Sequence, residues 1–360
     1  DTTGDVFFGG DDVDSDTGTE DLAPVTAVRT NDFIDLGLGT DDTLDVIGGI
    51  FLNGGDTRVD TTLVFSTSGD DIRLNGAVEL QGGVTFTTNA NETTGANTQA
   101  LGGDILFTDN TTIDSQATGD VSEDNNLRLL AGTGNISFNA NLGNRQSGTA
   151  DDFNSQLGTF IIEDTTGDVF FGGADAEAGD LDSLTLVRVI GDINLGAGID
   201  ETAGSSDVIG TDNTQDATAS TATGLFFNGG NASAAATQRI TTSGGNIRVN
   251  AAVELQSGVT FTTSASAVDG SNTQTLDGNI LFTDNATIDS QATAGDDDVS
   301  EDNELALLAG TGDISFNANI GNRQSGTTAG DFNSQLGRFT IEDTTGDVFF
   351  GGDDVDSDTG

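Results

Sequence analysis

The chain has 360 residues, 60 acids against 10 Arg (formal net charge −50), and no His, Cys, Met, Trp, Tyr or Lys. These absences exclude disulfides, thiolate chemistry and imidazole bases, so any bound metal is hard and oxygen-liganded. The charge excludes nucleic acid as a partner, no apolar run approaches 18 residues, and membrane insertion is not expected.

A hydrophobic content of 34% with 51 Gly fills a thin, elongated core, not a wide globular one. Asp1–Gly18 (DTTGDVFFGGDDVDSDTG) is repeated letter for letter as Asp343–Gly360, and DTTGDVFFGG also begins at Asp164. The chain therefore divides into long repeats 1–163 and 164–342, with 343–360 opening a third. It reads as a window on a longer, continuous array. Covalent continuation fits identical ends better than stacked subunits.

Inside each long repeat a shorter phrase recurs: Gly, Asn or Asp, an apolar residue, any residue, then an apolar residue. In the first copy it starts at Val6, Ile34, Ile50, Ile72, Ile105 and Ile136; in the second at Val169, Ile193, Leu225, Ile247, Ile280 and Ile314, with Val348 next. Apolar residues at i and i+2 share one face of a strand, and the Gly/Asn/Asp boundaries are strand punctuation. No 3.6-residue periodicity is present. From Ile72 to Ile105 the reading is three short strands (IRL, AVEL, VTF), a polar excursion NANETTGANTQ, and then the next phrase.

Six phrases per long repeat predict about six coils of an all-β, right-handed parallel β-helix, a β-solenoid. Twelve coils at about 4.8 Å make a rod of about 58 Å. Thr211–Thr223 of the second copy has no counterpart in the first, where Gly48 runs into Gly49. An insertion that leaves the flanking phrases in place belongs at a corner. The alternative is a string of antiparallel sandwiches, whose strands also alternate with Gly/Asn turns; recurrence of one phrase favours the solenoid.

LRLLAGTGNISFNANLG (Leu127–Gly143) and LALLAGTGDISFNANIG (Leu305–Gly321) resemble the repeats of filamentous-haemagglutinin-type exoproteins and other giant bacterial β-helix surface proteins. The resemblance covers most of the chain as a degenerate apolar/Gly/Asn pattern. It implies a secreted, elongated role at the extracellular cell surface and no particular ligand.

Asp12, Asp14 and Asp16, repeated as Asp354, Asp356 and Asp358, alternate carboxylates as hard-cation loops do and are the candidate Ca²⁺ ligands. Gly at loop position 7 and Ala23 at position 12 depart from the EF-hand pattern. Acid pairs such as Asp41/Asp42, Asp70/Asp71 and Asp151/Asp152 suit glycan-cleaving chemistry only in company with a cation, for which Arg145 and Arg323 are available. A structural loop clamp is the simpler role for those arginines. TFTT at Thr85–Thr88 and Thr260–Thr263 would suit an ice-binding face only if it recurred on successive coils. Sequons stand at Asn91, Asn110, Asn135, Asn231 and Asn285. The expected function is a structural extracellular filament, sheath or stalk, acidic and cation-stabilised, joined to itself end to end. The alternatives are a cell-surface adhesin whose divergent loops bind ligands and, more remotely, a polysaccharide-active β-helix enzyme.

Overall fold

The computed structural model describes residues 6–8, 27–30, 34–37, 49–52, 62–91, 93–94, 96–97, 101–108, 111–115, 117–118, 121–122, 125–139, 141–143, 155–163, 165, 167–172, 186–189, 192–195, 224–227, 237–266, 271–283, 286–290, 303–321 and 335–351. These residues form an all-β parallel helix with three faces, as the phrase pattern predicts. One complete coil is Ile72–Asn75 on the third face, Ala77–Leu80 on the first and Val84–Thr87 on the second, and Ile105–Phe107 then returns to the third. Ile72 pairs in parallel with Ile105, Ile105 with Ile136, and Ile136 with Val169. The second face is the longest uninterrupted ladder, ten strands from Ala27–Arg29 to Val348–Phe350.

Inward positions alternate as the phrase requires. Ile72, Leu74, Val78, Leu80, Val84 and Phe86 are all 2% exposed or less, while their neighbours Arg73, Glu79 and Gln81 face outward and are half-buried. Parallel stacking places like residues over like, so phenylalanines form columns. On the third face Phe107, Phe138, Phe171 and Phe227 stack with ring centroids 5.0, 5.3 and 4.9 Å apart and planes within 14°. That spacing is the inter-strand distance. Edge-to-face contacts link columns on different faces, as between Phe86 and Phe107 at 82°.

The coil count differs from the phrase count. From Val6–Phe8 to Val169–Phe171 the described residues take fourteen strand positions on the three faces, one of them a split strand entered at Leu142, which bridges Ile113 and Val187; the antiparallel pair Ala117–Thr118 and Val121–Ser122 stands outside the three faces. From Val169–Phe171 to Val348–Phe350 the described residues again take fourteen, Ile320 filling the corresponding place beside Ile288. Fourteen positions on three faces are four and two-thirds coils per repeat, not six. Phrases 31–34 residues apart mark full coils, except Ile193 and Leu225, which Thr211–Thr223 separates and which stand on adjacent faces; the closer-spaced ones near the start of each repeat are one or two faces apart. Two repeats thus rise about 45 Å, not 58 Å, and the net charge of −50 over the two repeats and the opening of the third is about one per ångström.

The two-thirds remainder moves every equivalent strand one face round. Ile105–Phe107 and Ile136–Phe138 lie on the third face, but their counterparts Ile280–Phe282 and Ile314–Phe316 lie on the second. Val84–Thr87 is on the second face and its twin Val259–Thr262 on the first. The 163- and 179-residue repeats keep the same strand count because their length difference falls between strands. Thr211–Thr223 lies outside the described residues, yet Ile193–Leu195 and Gly224–Phe227 on either side of it keep adjacent faces.

Candidate functional site

For a chain of stacked coils, the working surface is the contact between one coil and the next. Three devices fasten it besides the β-ladders. The first is a carboxylate–amide ladder at the Asp or Asn that precedes nine of the phrases. Asp71 Oδ1 accepts from the Asp104 amide at 2.7 Å, Asp104 Oδ1 from Asn135 at 2.7 Å, and Asn135 Oδ1 from Asp168 at 2.8 Å. In the second copy Asp192, Asn246, Asn279, Asp313 and Asp347 form the same chain of bonds at 2.6–2.9 Å. Asn and Asp serve equally because each offers one oxygen to the next coil's N–H.

The second device is a column of glycines one residue earlier. A Cβ on Gly134 would collide with the carbonyl of Gly103, and one on Gly167 with that of Gly134; Gly278, Gly312 and Gly346 repeat this in the second copy. The corner is closed so tightly that backbone stacks on backbone. The Gly of the Gly-Asn/Asp phrase is therefore a packing requirement.

The third device is a set of buried and half-buried polar side chains, the same in both copies. Thr88, fully buried, donates to the Gly103 carbonyl at 2.6 Å, and its twin Thr263 to that of Gly278 at 2.5 Å. Asn125 Nδ2 donates to the Leu80 carbonyl at 2.7 Å and to Ser115 Oγ at 3.0 Å; Asn303 does the same to Leu255 and Ser290 at 2.8 and 3.0 Å. The Ala131 amide donates to Thr165 Oγ1 and the Ala309 amide to Thr344 Oγ1, both at 3.0 Å. Bonds that span 10 to 48 residues in sequence carry no local signature, and the sequence does not announce them.

The surface-exoprotein-like segment can now be read residue by residue. Leu127 and Leu129 point inward. Gly132 takes φ +59° and bridges Thr165, Gly134 belongs to the glycine column, Asn135 to the amide ladder, and Ile136 and Phe138 to the core. The whole stretch encodes one corner and two strands.

The candidate Ca²⁺ ligands Asp12, Asp14, Asp16, Asp354, Asp356 and Asp358 lie outside the described residues, as do Arg145, Arg323, Asp41/Asp42 and Asp151/Asp152. Among the described residues no three acidic side chains converge on a common point suited to a metal. Of the acid pair Asp70/Asp71, the Asp71 carboxylate caps the next coil, while the Asp70 main-chain carbonyl accepts from Thr67 Oγ1. The two TFTT motifs sit on different faces, and Thr85 is flanked by Val64 and Arg128, so no threonine array forms. Of the sequons, Asn135 is taken up by the amide ladder, and Asn91 closes a turn by accepting from the Thr93 and Thr94 amides, each at 3.0 Å. Among the described residues no helix is long and apolar enough to cross a membrane.

Fold and contacts define a three-faced parallel β-helix built from tandem repeats. No family model matches the chain, nor does any curated protein or solved structure. Its likeness to exoprotein repeats rests on the motif.

Proposed function

We propose that the chain is a structural solenoid, a shaft segment of an acidic, cation-stabilised extracellular filament, sheath or stalk. One observation carries this reading: the ladders cross from the first long repeat into the second without a break. Ile136–Phe138 pairs with Val169–Phe171, which pairs with Gly224–Phe227, and the phenylalanine column continues through all three. In a solenoid each repeat contacts only its neighbours, and stability sums repeat and interface terms, so such a shaft extends by adding repeats. Its partner is more of itself, end to end. Its mechanical element is the axial hydrogen-bond ladder, reinforced by the amide ladder and glycine column.

The high linear charge supports the cation part of the reading. Duplex DNA, at one charge per about 1.7 Å, condenses counterions; this rod is more densely charged. The alternating carboxylates Asp12, Asp14, Asp16 and Asp354, Asp356, Asp358 are where a specific Ca²⁺ contribution would be sought.

The test is imaging of assemblies of the native array. A meridional repeat near 4.8 Å along unbranched filaments, with an axial period set by the four-and-two-thirds-coil repeat, is the expected result. Globular particles without that reflection would refute the filament.

A further inference from the structure

The outer surface of the second face carries a groove with a volume of about 610 Å³. It runs along the rod axis across five successive strands: Ala27–Arg29, Leu63–Ser66, Val84–Thr87, Leu127–Leu130 and Phe160–Ile162. The floor is the outward ladder Val64–Thr85–Arg128–Ile161, whose members are cross-strand partners in register. Five strands span about 19 Å along the axis. Corner residues, among them Thr62, Asn126 and Thr159, form one wall.

The other wall is the polar excursion after Val84–Thr87, which folds back over the face. Its own hydrogen bonds hold it in place. Thr87 Oγ1 donates to Asn89 Oδ1 at 2.6 Å and to Asn97 Oδ1 at 3.3 Å, the Asn91 amide donates to the Ala96 carbonyl at 2.7 Å, and the Ala90 amide to the Thr67 carbonyl at 3.1 Å. Such a wall is pre-organised, so binding costs little ordering.

The groove's electrostatic character opposes that of the chain. Acids are 60 of 360 residues, and seventeen residues drawn at that rate would hold about three. Among the described residues, the seventeen that line the groove hold none, and include two of the ten arginines. Arg128 is paired with Glu163 beside the floor. Arg29 is exposed at the mouth and, among the described residues, has no ion-pair or hydrogen-bond partner.

The second copy provides an internal comparison. Arg188 is the equivalent of Arg29 (VRT and VRV), but it is only 3% exposed. Its guanidinium lies beneath the equivalent loop, with Nη2 3.4 Å from the Ser266 carbonyl. Ala306 and Thr340 replace Arg128 and Ile161. The same scaffold is thus closed by its own arginine in one copy and left open, with the arginine turned out, in the other.

We propose that this groove binds a linear, carboxylate-bearing glycan lying along the rod axis, with Arg29 as its anchoring cation. Straightness and length call for an extended chain. Hydroxyl and amide groups spaced along the walls suit a polyhydroxylated ligand, and Val64 and Ile161 between them suit the apolar faces of its rings. A planar guanidinium with no partner among the described residues, on a strip whose described lining carries no acid and whose other arginine already holds Glu163, matches a carboxylate. An extended peptide is a poorer fit: it binds by adding to a sheet edge, whereas the backbone groups under this groove are already spent in the ladder. The proposal stands on the groove alone and does not depend on the filament reading.

Isothermal titration of the full chain with hexagalacturonate, its methyl ester and a deca-aspartate peptide tests it. Hexagalacturonate binds; the methyl ester and Arg29→Ala each weaken binding by about tenfold or more, the worth of a charge-assisted bond. Thr85→Phe fills the floor and abolishes binding. Thr260→Phe, the twin position outside the groove, leaves affinity unchanged. Thermal unfolding confirms that each variant is folded, and should Thr85→Phe fail that check, exposed Arg29→Ala carries the decision. No binding of hexagalacturonate, affinity unmoved by Arg29→Ala, or tighter binding of deca-aspartate than of the glycan each overturns the proposal.

Discussion

Phe171 and Phe350 occupy the same place in consecutive repeats, inside identical DTTGDVFFGG segments, yet Phe171 is fully buried and Phe350 is 64% exposed. Both stack on the phenylalanine of the preceding coil, Phe171 on Phe138 at 5.3 Å and Phe350 on Phe316 at 5.2 Å. Among the described residues only Phe171 has a coil on its other side, with Phe227 at 4.9 Å. Sequence identity therefore sets the position, and the neighbouring coil sets the burial. Phe160 and Phe339 behave alike, at 0% and 37%.

This pair yields a direct measurement. Phe171→Ala should lower stability by about 3–5 kcal/mol, as for a core phenylalanine that leaves a cavity. Phe350→Ala in the same 360-residue chain should cost less than about 1 kcal/mol. Urea unfolding midpoints compare the two. Equal losses would mean that the columns do not carry the axial packing.

The glycine column separates steric closeness from backbone conformation. Gly134 has no left-handed φ, but a Cβ there meets the Gly103 carbonyl; Gly351 has φ +74° and open space around its Cβ position. Gly351→Ala should cost only the strain of a left-handed residue, about 1–2 kcal/mol. Gly134→Ala must push two coils apart and should cost more than that, visible as a larger drop in urea midpoint and as faster amide exchange at Ile105 and Ile136.

The amide ladder predicts that Asp104→Asn is tolerated and Asp104→Ala is not. Asparagine keeps the oxygen that the Asn135 amide donates to, and it removes a charge next to Asp71. Alanine deletes the acceptor, at about 1 kcal/mol. Thermal melts at low salt should rank Asn at or above wild type, with Ala lowest.

Salt should stabilise the rod. Raising NaCl from 10 to 150 mM shortens the screening length from about 30 to about 8 Å, weakening the mutual repulsion of the net −50 charge. The urea midpoint should rise accordingly, and chelator at low salt should lower it. Ca²⁺ at matched ionic strength should raise it further than Na⁺. The Asp14→Asn/Asp356→Asn double variant reads how much of that increment belongs to the alternating carboxylates.

Much of this architecture is legible in sequence because parallel stacking makes each coil repeat the one below. Ile72, Ile105 and Ile136 announce the third-face ladder, and the AVEL and VTF strands between the first two fall where alternation puts them. The phrases overcount the coils because Ile34, Ile50 and Ile72 look like successive turns, whereas Ile34 and Ile72 are cross-strand partners and Ile50 lies on another face. A strand's residues declare which side is inward but not which face of the prism it joins. The groove was illegible for a related reason. Val64, Thr85, Arg128 and Ile161 are far apart in sequence and meet only through register, and the loop that walls them reads as a plain polar excursion.

Because fourteen and three share no factor, the repeat and the prism come back into phase only after three repeats, a rise of about 67 Å. The loop that follows VTFT leaves the second face in one copy and the first face in the next. A succession of such repeats carries its equivalent loops around the axis like the steps of a spiral stair. A surface or molecule approaching from any direction then meets an equivalent loop within one such period, without the shaft having to twist toward it.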